Sequence, residues 1–163
     1  MRVIGIDPGY ERLGVAILEK KGGKEILLFS DCLQTDSKSP LSQRIFLLGQ
    51  EVENIIKKWQ PDALSIEKLF FTTNQKTAMG VSEVRGAIIY IAQKSNLKIF
   101  EYTPLQVKIA VTGYGKAEKS QVKSMLEKIL KIESNKKRRD DEFDAMAIGL
   151  TCLVSTPPLL QKI

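Results

Sequence analysis

The sequence contains no histidine among its 163 residues. That absence excludes Ser-His-Asp and Cys-His hydrolases, nucleases with an imidazole general base, and any histidine-ligated zinc or iron centre. Cysteine is scarce: Cys32 and Cys152 are too few for a thiolate metal site and too far apart for a CxxC motif, so they read as small buried apolar residues. No apolar run approaches the ~20 residues that a membrane helix needs. The opening Met1-Arg2-Val3-Ile4-Gly5-Ile6-Asp7 meets charge too early for a secretory signal. These exclusions predict a cytoplasmic protein without a membrane segment. If it is an enzyme, its tools are carboxylates, lysines, hydroxyls and a hard cation.

What is present describes an ordinary globular chain, with 43% hydrophobic and 27% charged residues. The length predicts one domain over residues 1–156, followed by a short tail at 157–163. Lys and Arg outnumber Asp and Glu by 25 to 19, a net charge of +6. Such an excess favours a polyanion such as nucleic acid, and also serves solubility alone.

The first third reads as three antiparallel strands: Val3 to Ile6, Leu13 to Leu18, and Glu25 to Leu33 beyond a Gly22-Gly23 turn. Ser39-Pro40 predicts a helix start, with Ser39 as cap and Pro40 at the first helical position. Leu41, Ile45, Leu48, Val52, Ile55, Ile56 and Trp59 then recur at helical spacing. A short strand, Ala63 to Ile66, delivers Glu67. After a loop from Lys68 to Asn74 come a helix (Gln75 to Lys94), a strand (Leu97 to Tyr102) and a short helix (Pro104 to Ala110). A helix carrying Val122, Met125, Leu126 and Ile129 follows. The last helix is expected to turn Phe143, Met146, Ala147, Leu150 and Val154 inward. Three antiparallel strands followed by strands alternating with helices predict an α/β protein, its mixed five-stranded sheet flanked by helices.

Two of the acids end strands: Asp7 before Pro8-Gly9, and Glu67 after Leu64-Ser65-Ile66. Asp141 and Asp144 are three apart near the start of the last helix, so they lean to one face. Read alone, Asp7-Pro8-Gly9 is also a turn, and Asp140, Asp141, Glu142 and Asp144 are helix-start charges worth about 0.3–1 kcal/mol each. Read together, four converging carboxylates repel one another unless a cation neutralises them, and all-oxygen ligands suit Mg²⁺ or Mn²⁺. Two such ions roughly 3.5–4 Å apart can drive in-line phosphodiester hydrolysis without histidine.

With these residues in place, the sequence resembles the RuvC-type crossover-junction endonucleases, bacterial Holliday junction resolvases of RNase H-like fold. The resemblance runs from Gly5-Ile6-Asp7-Pro8-Gly9 through Pro61-Asp62, Ile66-Glu67, Val84-Arg85-Gly86 and Ala117-Glu118-Lys119-Ser120-Gln121-Val122 to Asp141-Glu142-Phe143-Asp144-Ala145. It implies that Asp7, Glu67, Asp141 and Asp144 ligate two Mg²⁺ ions per site. The family spacing selects Asp141 over its neighbour Asp140. It implies phosphate contact and catalysis for Lys119 and DNA contact for Lys108, with Lys116 counted beside them. Phe70 matches an aromatic that stacks on a base, although the sequence does not say whether Phe70 or Phe71 points outward. The run Lys136-Lys137-Arg138-Arg139 reads equally as a phosphate grip and as a solvated loop. The resemblance further implies a four-way DNA junction as substrate, a RuvAB-type branch-migration complex as partner, and a homodimer joined through the helix around Thr77 to Ala92. The apolar Ala78, Met79, Val81, Ile88, Ile89 and Ile91 fit such an interface or a deep core helix.

Three other readings compete. A YqgF-type nuclease of ribosomal RNA maturation shares the first-strand acid, but the AEKSQV segment and the D-x-x-D-A ending favour the resolvase. An actin- or sugar-kinase-type phosphate binder needs two domains. A non-catalytic junction-binding module is expected to have lost a carboxylate, and all four are present.

Overall fold

The computed structural model describes residues 1–68, 75–132 and 137–156. Ten elements follow in chain order: β1 (Arg2–Asp7), β2 (Arg12–Lys21), β3 (Lys24–Gln34), α1 (Leu41–Trp59), β4 (Ala63–Glu67), α2 (Gln75–Lys94), β5 (Lys98–Tyr102), α3 (Pro104–Thr112), α4 (Lys119–Ile129) and α5 (Asp140–Ser155). The strands form one five-stranded sheet in the order β3-β2-β1-β4-β5. The β1–β2 and β2–β3 pairs are antiparallel, whereas β1–β4 and β4–β5 are parallel. Two-residue turns such as Gly22-Gly23, with φ of 59° and 76°, can close antiparallel neighbours, but parallel strands need a crossover, which α1 and α2 supply.

Strand alternation assigns the faces. Ile4 and Ile6 of β1, Leu13, Val15 and Ile17 of β2, and Leu64 and Ile66 of β4 meet Leu48, Val52, Ile55 and Ile56 of α1 and Val84, Ile88 and Ala92 of α2. The alternate residues, Val3, Ala16, Leu18 and Ala63, meet α5 with Val107 and Val111 of α3 and Leu126 of α4. By the same parity Gly5 and Asp7 of β1, and Ser65 and Glu67 of β4, belong to the α5 face. The register sets Ile6 beside Ile66, so Asp7 and Glu67 leave adjacent parallel strands at the same level.

Helix α5 lies close on this face because the sheet offers it little side-chain bulk. A Cβ added at Gly5 would stand 2.3 Å from the Ala145 carbonyl oxygen, and one at Gly14 would stand 1.9 Å from that of Asp141. Ser65 Oγ donates to the Ile148 carbonyl at 2.7 Å, which pins the helix laterally. From Phe143 to Leu153 every α5 residue except Asp144 is buried, so the helix has core on almost every side.

Two local expectations need correction. Ser39 does not cap α1: Pro40 is the N-cap, with extended ψ of 144°, and its carbonyl accepts from Gln43 and Arg44. The Ser39 N–H is already engaged by the Asp36 carbonyl in a preceding turn. Val154 is not inward but 45% exposed, because the last turn of α5 extends beyond its packing partners. Cys32 and Cys152 are buried and free, as expected.

Substituting Gly5→Ala should destabilise the protein by about 1–3 kcal/mol or more, since the clash is with helix backbone rather than a movable side chain. Urea denaturation measures this, and a loss below about 1 kcal/mol would mean that α5 is not seated as described.

Candidate active site

The acids predicted from sequence meet where β1 and β4 end under the first turns of α5. Asp7, Glu67 and Asp144 line one cavity of about 340 Å³, together with Lys108, Lys119, Pro104, Val107, Val122, Ala147 and Ile148. Asp141 stands on the other side of Asp7, above the β2–β3 pair. Its Oδ2 accepts from Cys32 Sγ at 3.7 Å, and it lines a second groove of about 230 Å³ with Gly9, Tyr10, Glu11, Arg12 and Val81. Across the sheet edge the order is therefore Asp141, Asp7, then Glu67 with Asp144. Among the described residues no three acid or cysteine side chains are gathered closely enough to hold one metal ion. The carboxylates form a row around Asp7 rather than a closed cage.

Lys119, the first residue of α4, is the cation of this row. Its Nζ lies 2.8 Å from Asp144 Oδ2 and 3.9 Å from Asp140 Oδ2. Asp140 itself is exposed at the helix start and does not line the cavity. Lys108 is half-buried in the cavity wall, whereas Lys116 is exposed in the loop before α4 and does not line it. Glu142 is neither solvated nor part of the row. It is buried, accepting from Ser30 Oγ at 2.7 Å and from the Arg139 N–H at 3.0 Å, and so fixes the start of α5. Phe70, Phe71 and Lys136 lie outside the described residues.

Burial and repulsion both act on the acids. The Asp7 carboxyl is pushed up to about 7, first by burial and then by the charges of Asp144, Glu67 and Asp141, with Lys119 opposing. Burial and the Asp144 charge raise Glu67. Asp144 is raised as well, because burial outweighs the help of Lys119. The Lys119 ammonium is in turn held charged by its hydrogen bond to Asp144. A donor set of carboxylate oxygens alone, crowded enough for Asp7 to hold its proton near neutrality and already drawing in an ammonium, fits a hard divalent cation.

The sequence model of the RuvC crossover junction endodeoxyribonuclease matches residues 3–152. The chain belongs to the RuvC family. It is 42% identical over 163 residues to the crossover junction endodeoxyribonuclease RuvC of Caldicellulosiruptor saccharolyticus, covering 99% of this chain and 98% of that one. It is also 42% identical to the RuvC of Petrotoga mobilis over 147 residues, 90% of each chain. The solved structure of T. thermophilus RuvC in complex with Holliday junction substrate superposes with a TM-score of 0.89 at 31% identity, covering 95% of this chain and 94% of that one. The fold is the RNase H-like one that the RuvC resemblance implies.

Two supports of the RuvC-type site escaped sequence reasoning. Arg85 Nε donates to the Glu67 carbonyl at 3.1 Å while its Nη2 pairs with Glu101 on β5, so a half-buried guanidinium holds the end of β4. The Val84-Arg85-Gly86 motif marked this residue without revealing its task. Gly14 gave no signal, since its role depends on what packs over it.

The raised Asp7 pKa predicts the sign of a pH effect. Between its ordinary 3.8 and about 7 the folded state binds more protons here than the unfolded state. Stability from this group is therefore full below about 4 and is lost as pH rises to about 7. In EDTA at pH 8, Asp7→Asn should raise the melting temperature by about 5 °C, as expected for about 1–2 kcal/mol in a chain of this size. The gain should vanish near pH 4. A variant no more stable than wild type at pH 8 would remove the claim of strain at Asp7.

Proposed function

We propose that the chain is a divalent-cation-dependent crossover junction endonuclease that resolves four-way (Holliday) junctions by symmetric nicking of two strands, in homologous recombination and DNA repair. The observation that carries this reading is the convergence of Asp7, Glu67 and Asp144 with Lys119 in one cavity of a RuvC-family chain. Asp7, Glu67, Asp141 and Asp144 would hold two Mg²⁺ ions, for which Mn²⁺ can substitute. When bound, the ions supply Lewis-acid activation of water and stabilisation of the leaving oxygen, giving 5′-phosphate and 3′-hydroxyl ends.

The protein's own groups do the rest. Lys119, released from Asp144 once that carboxylate is otherwise neutralised, offers its ammonium to the scissile phosphate. Lys108 meets the phosphate from the α3 side of the same cavity. Pro104, Val107, Val122, Ala147 and Ile148 make its walls largely apolar, which strengthens each charge–phosphate contact. Lys116, outside the cavity, serves the flanking backbone. Phe70, three residues beyond Glu67, is assigned the stacking role at the crossover.

A junction has two strands to cut, and a two-fold homodimer presents two sites to match. On α2, Met79 is 66% and Tyr90 69% exposed; eleven residues apart, they share one face. Gly86 between them would meet nothing on gaining a Cβ. That outward stripe supports α2 as the dimer interface. A RuvAB-type branch-migration complex would deliver the substrate in the cytoplasm. Among the described residues no helix is long and apolar enough to cross a membrane.

The test compares a synthetic four-way junction with matching linear duplex, in Mg²⁺ and then in EDTA, over a panel of crossover sequences. Paired, symmetric, Mg²⁺-dependent nicks confined to the junction are expected. Equal cutting of duplex or RNA would move the substrate elsewhere in the superfamily. Asp7→Asn should lower cleavage by at least about 10³-fold with junction binding retained. Phe70→Ala should impair cleavage more than binding, and equal loss of both would count against stacking.

A further inference from the structure

The turn that follows Asp7 rests on a charged residue that the fold buries. Arg44 of α1 is 6% exposed and interrupts the apolar face of its helix. Its Nε donates to Thr35 Oγ1 at 2.9 Å, and that hydroxyl donates to the Tyr10 carbonyl at 2.6 Å. The Thr35 N–H donates to the Glu11 carbonyl at 3.1 Å. The guanidinium also lies over the Tyr10 ring, 4.9 Å from its centroid. Gly80 of α2 abuts the same ring: a Cβ there would stand 2.9 Å from Cδ1 and 3.0 Å from Cε1. Tyr10 is thus held through both its ring and its carbonyl, by elements from three parts of the chain.

Stability does not account for a guanidinium at this position. Arg44 Nη2 finds no hydrogen-bond acceptor among the described residues, and the nearest carboxylate, Glu11, is 3.9 Å away and 61% exposed. A buried charge is costly to desolvate, and replacing buried ionic groups by well-packed apolar side chains of similar volume is often neutral or stabilising. Replacement here would strand no buried partner, since Glu11 faces solvent and Thr35 keeps its bond to Tyr10. What only arginine supplies is a planar group that stacks on the ring while donating sideways to Thr35.

The linkage from Tyr10 back to Asp7 is short and stiff. Pro8 fixes its own φ. Gly9 has its α-carbon so close to the Arg12 carbonyl that a Cβ would fall 2.2 Å from the oxygen. A displaced Tyr10 therefore displaces Asp7, the centre of the carboxylate row. We infer that Arg44 is a positioning residue for Asp7, acting through Tyr10 and Thr35, and that Gly80 ties α2 to the same turn. This inference rests on the nuclease reading above.

The test uses the full chain carrying Arg44→Met or Gly80→Ala, which disturb Tyr10 from two different helices. Four quantities are measured: the single-turnover rate on a four-way junction in Mg²⁺, junction affinity in EDTA, the melting temperature, and amide exchange over residues 9–11. Each variant should keep junction affinity within about twofold and melt within about 4 °C of wild type. Its cleavage rate should fall roughly ten- to a hundredfold, as displacement of a catalytic group by a fraction of an ångström does. Exchange should quicken in the turn alone. A wild-type rate in Arg44→Met overturns the inference, as does a rate loss matched by equal loss of affinity or by a collapse in melting temperature. If Arg44→Met does not fold, Arg44 holds the structure rather than the site, and Gly80→Ala must still show the selective rate loss for the α2 link to stand. Failure of wild type to cut the junction would instead remove the nuclease reading, while the exchange measurement would still report on the clamp.

Discussion

The close approach of α5 to the β1–β2–β4 face is the contact on which the rest of the structure depends. A helix packed on a sheet over ordinary side chains stands well clear of the strand ends, and acids on its first turns would point into solvent. Here Gly5 and Gly14 remove the side chains that would hold it off, and Ser65 adds a hydrogen bond instead of bulk. The same seating that buries Ala145, Ile148 and Gly149 brings Asp141 and Asp144 down beside Asp7 and Glu67. Core packing and site assembly are one event, so a change that lifts the helix disables both.

The resulting site is electrostatically unfavourable as it stands. Carboxylates crowd a partly buried rim, and the structure answers with partial remedies: a proton held by Asp7 near neutrality, and Lys119 bridging from α4 to Asp144. The surrounding core of two apolar layers provides the stability that such a cluster draws down. A group that would be removed if stability alone were selected is retained where charge must later be received, as is common where function and folding compete.

The scaffold holds the ends of its strands with buried or half-buried cations placed against backbone and aromatic groups. Arg85 grips the carbonyl of Glu67 and pairs with Glu101, while Arg44 grips the turn after Asp7. Buried Glu142 fixes the start of α5 through Ser30 and the Arg139 amide. Each is a directional tie on the part of an element that carries an acid, where apolar packing alone would leave the last residue free to swing.

Much of this was legible in the chain order of residues. The short apolar runs of β1 and β4, the turn residues that end them and the periodicity of the helices pointed to the mixed sheet, and the absence of histidine with acids ending two strands pointed to cation-dependent chemistry. Local signals failed where tertiary contacts took over: Ser39 lost its capping role to a turn led by Asp36, and Val154 fitted the inward stripe but lay beyond anything to pack on. The tasks of Arg44, Arg85 and Gly14 had no local signature at all, because each is defined by a partner from a distant element. The sequence by itself determined which elements form and which acids stand at their ends, since both follow from apolar runs, the 3.6-residue helical period and turn chemistry. Only the tertiary structure decided which acids share a cavity, which lysine neutralises them and what holds them there. Those are matters of approach between elements distant in sequence, set by side-chain volume and charge, and no local pattern encodes them.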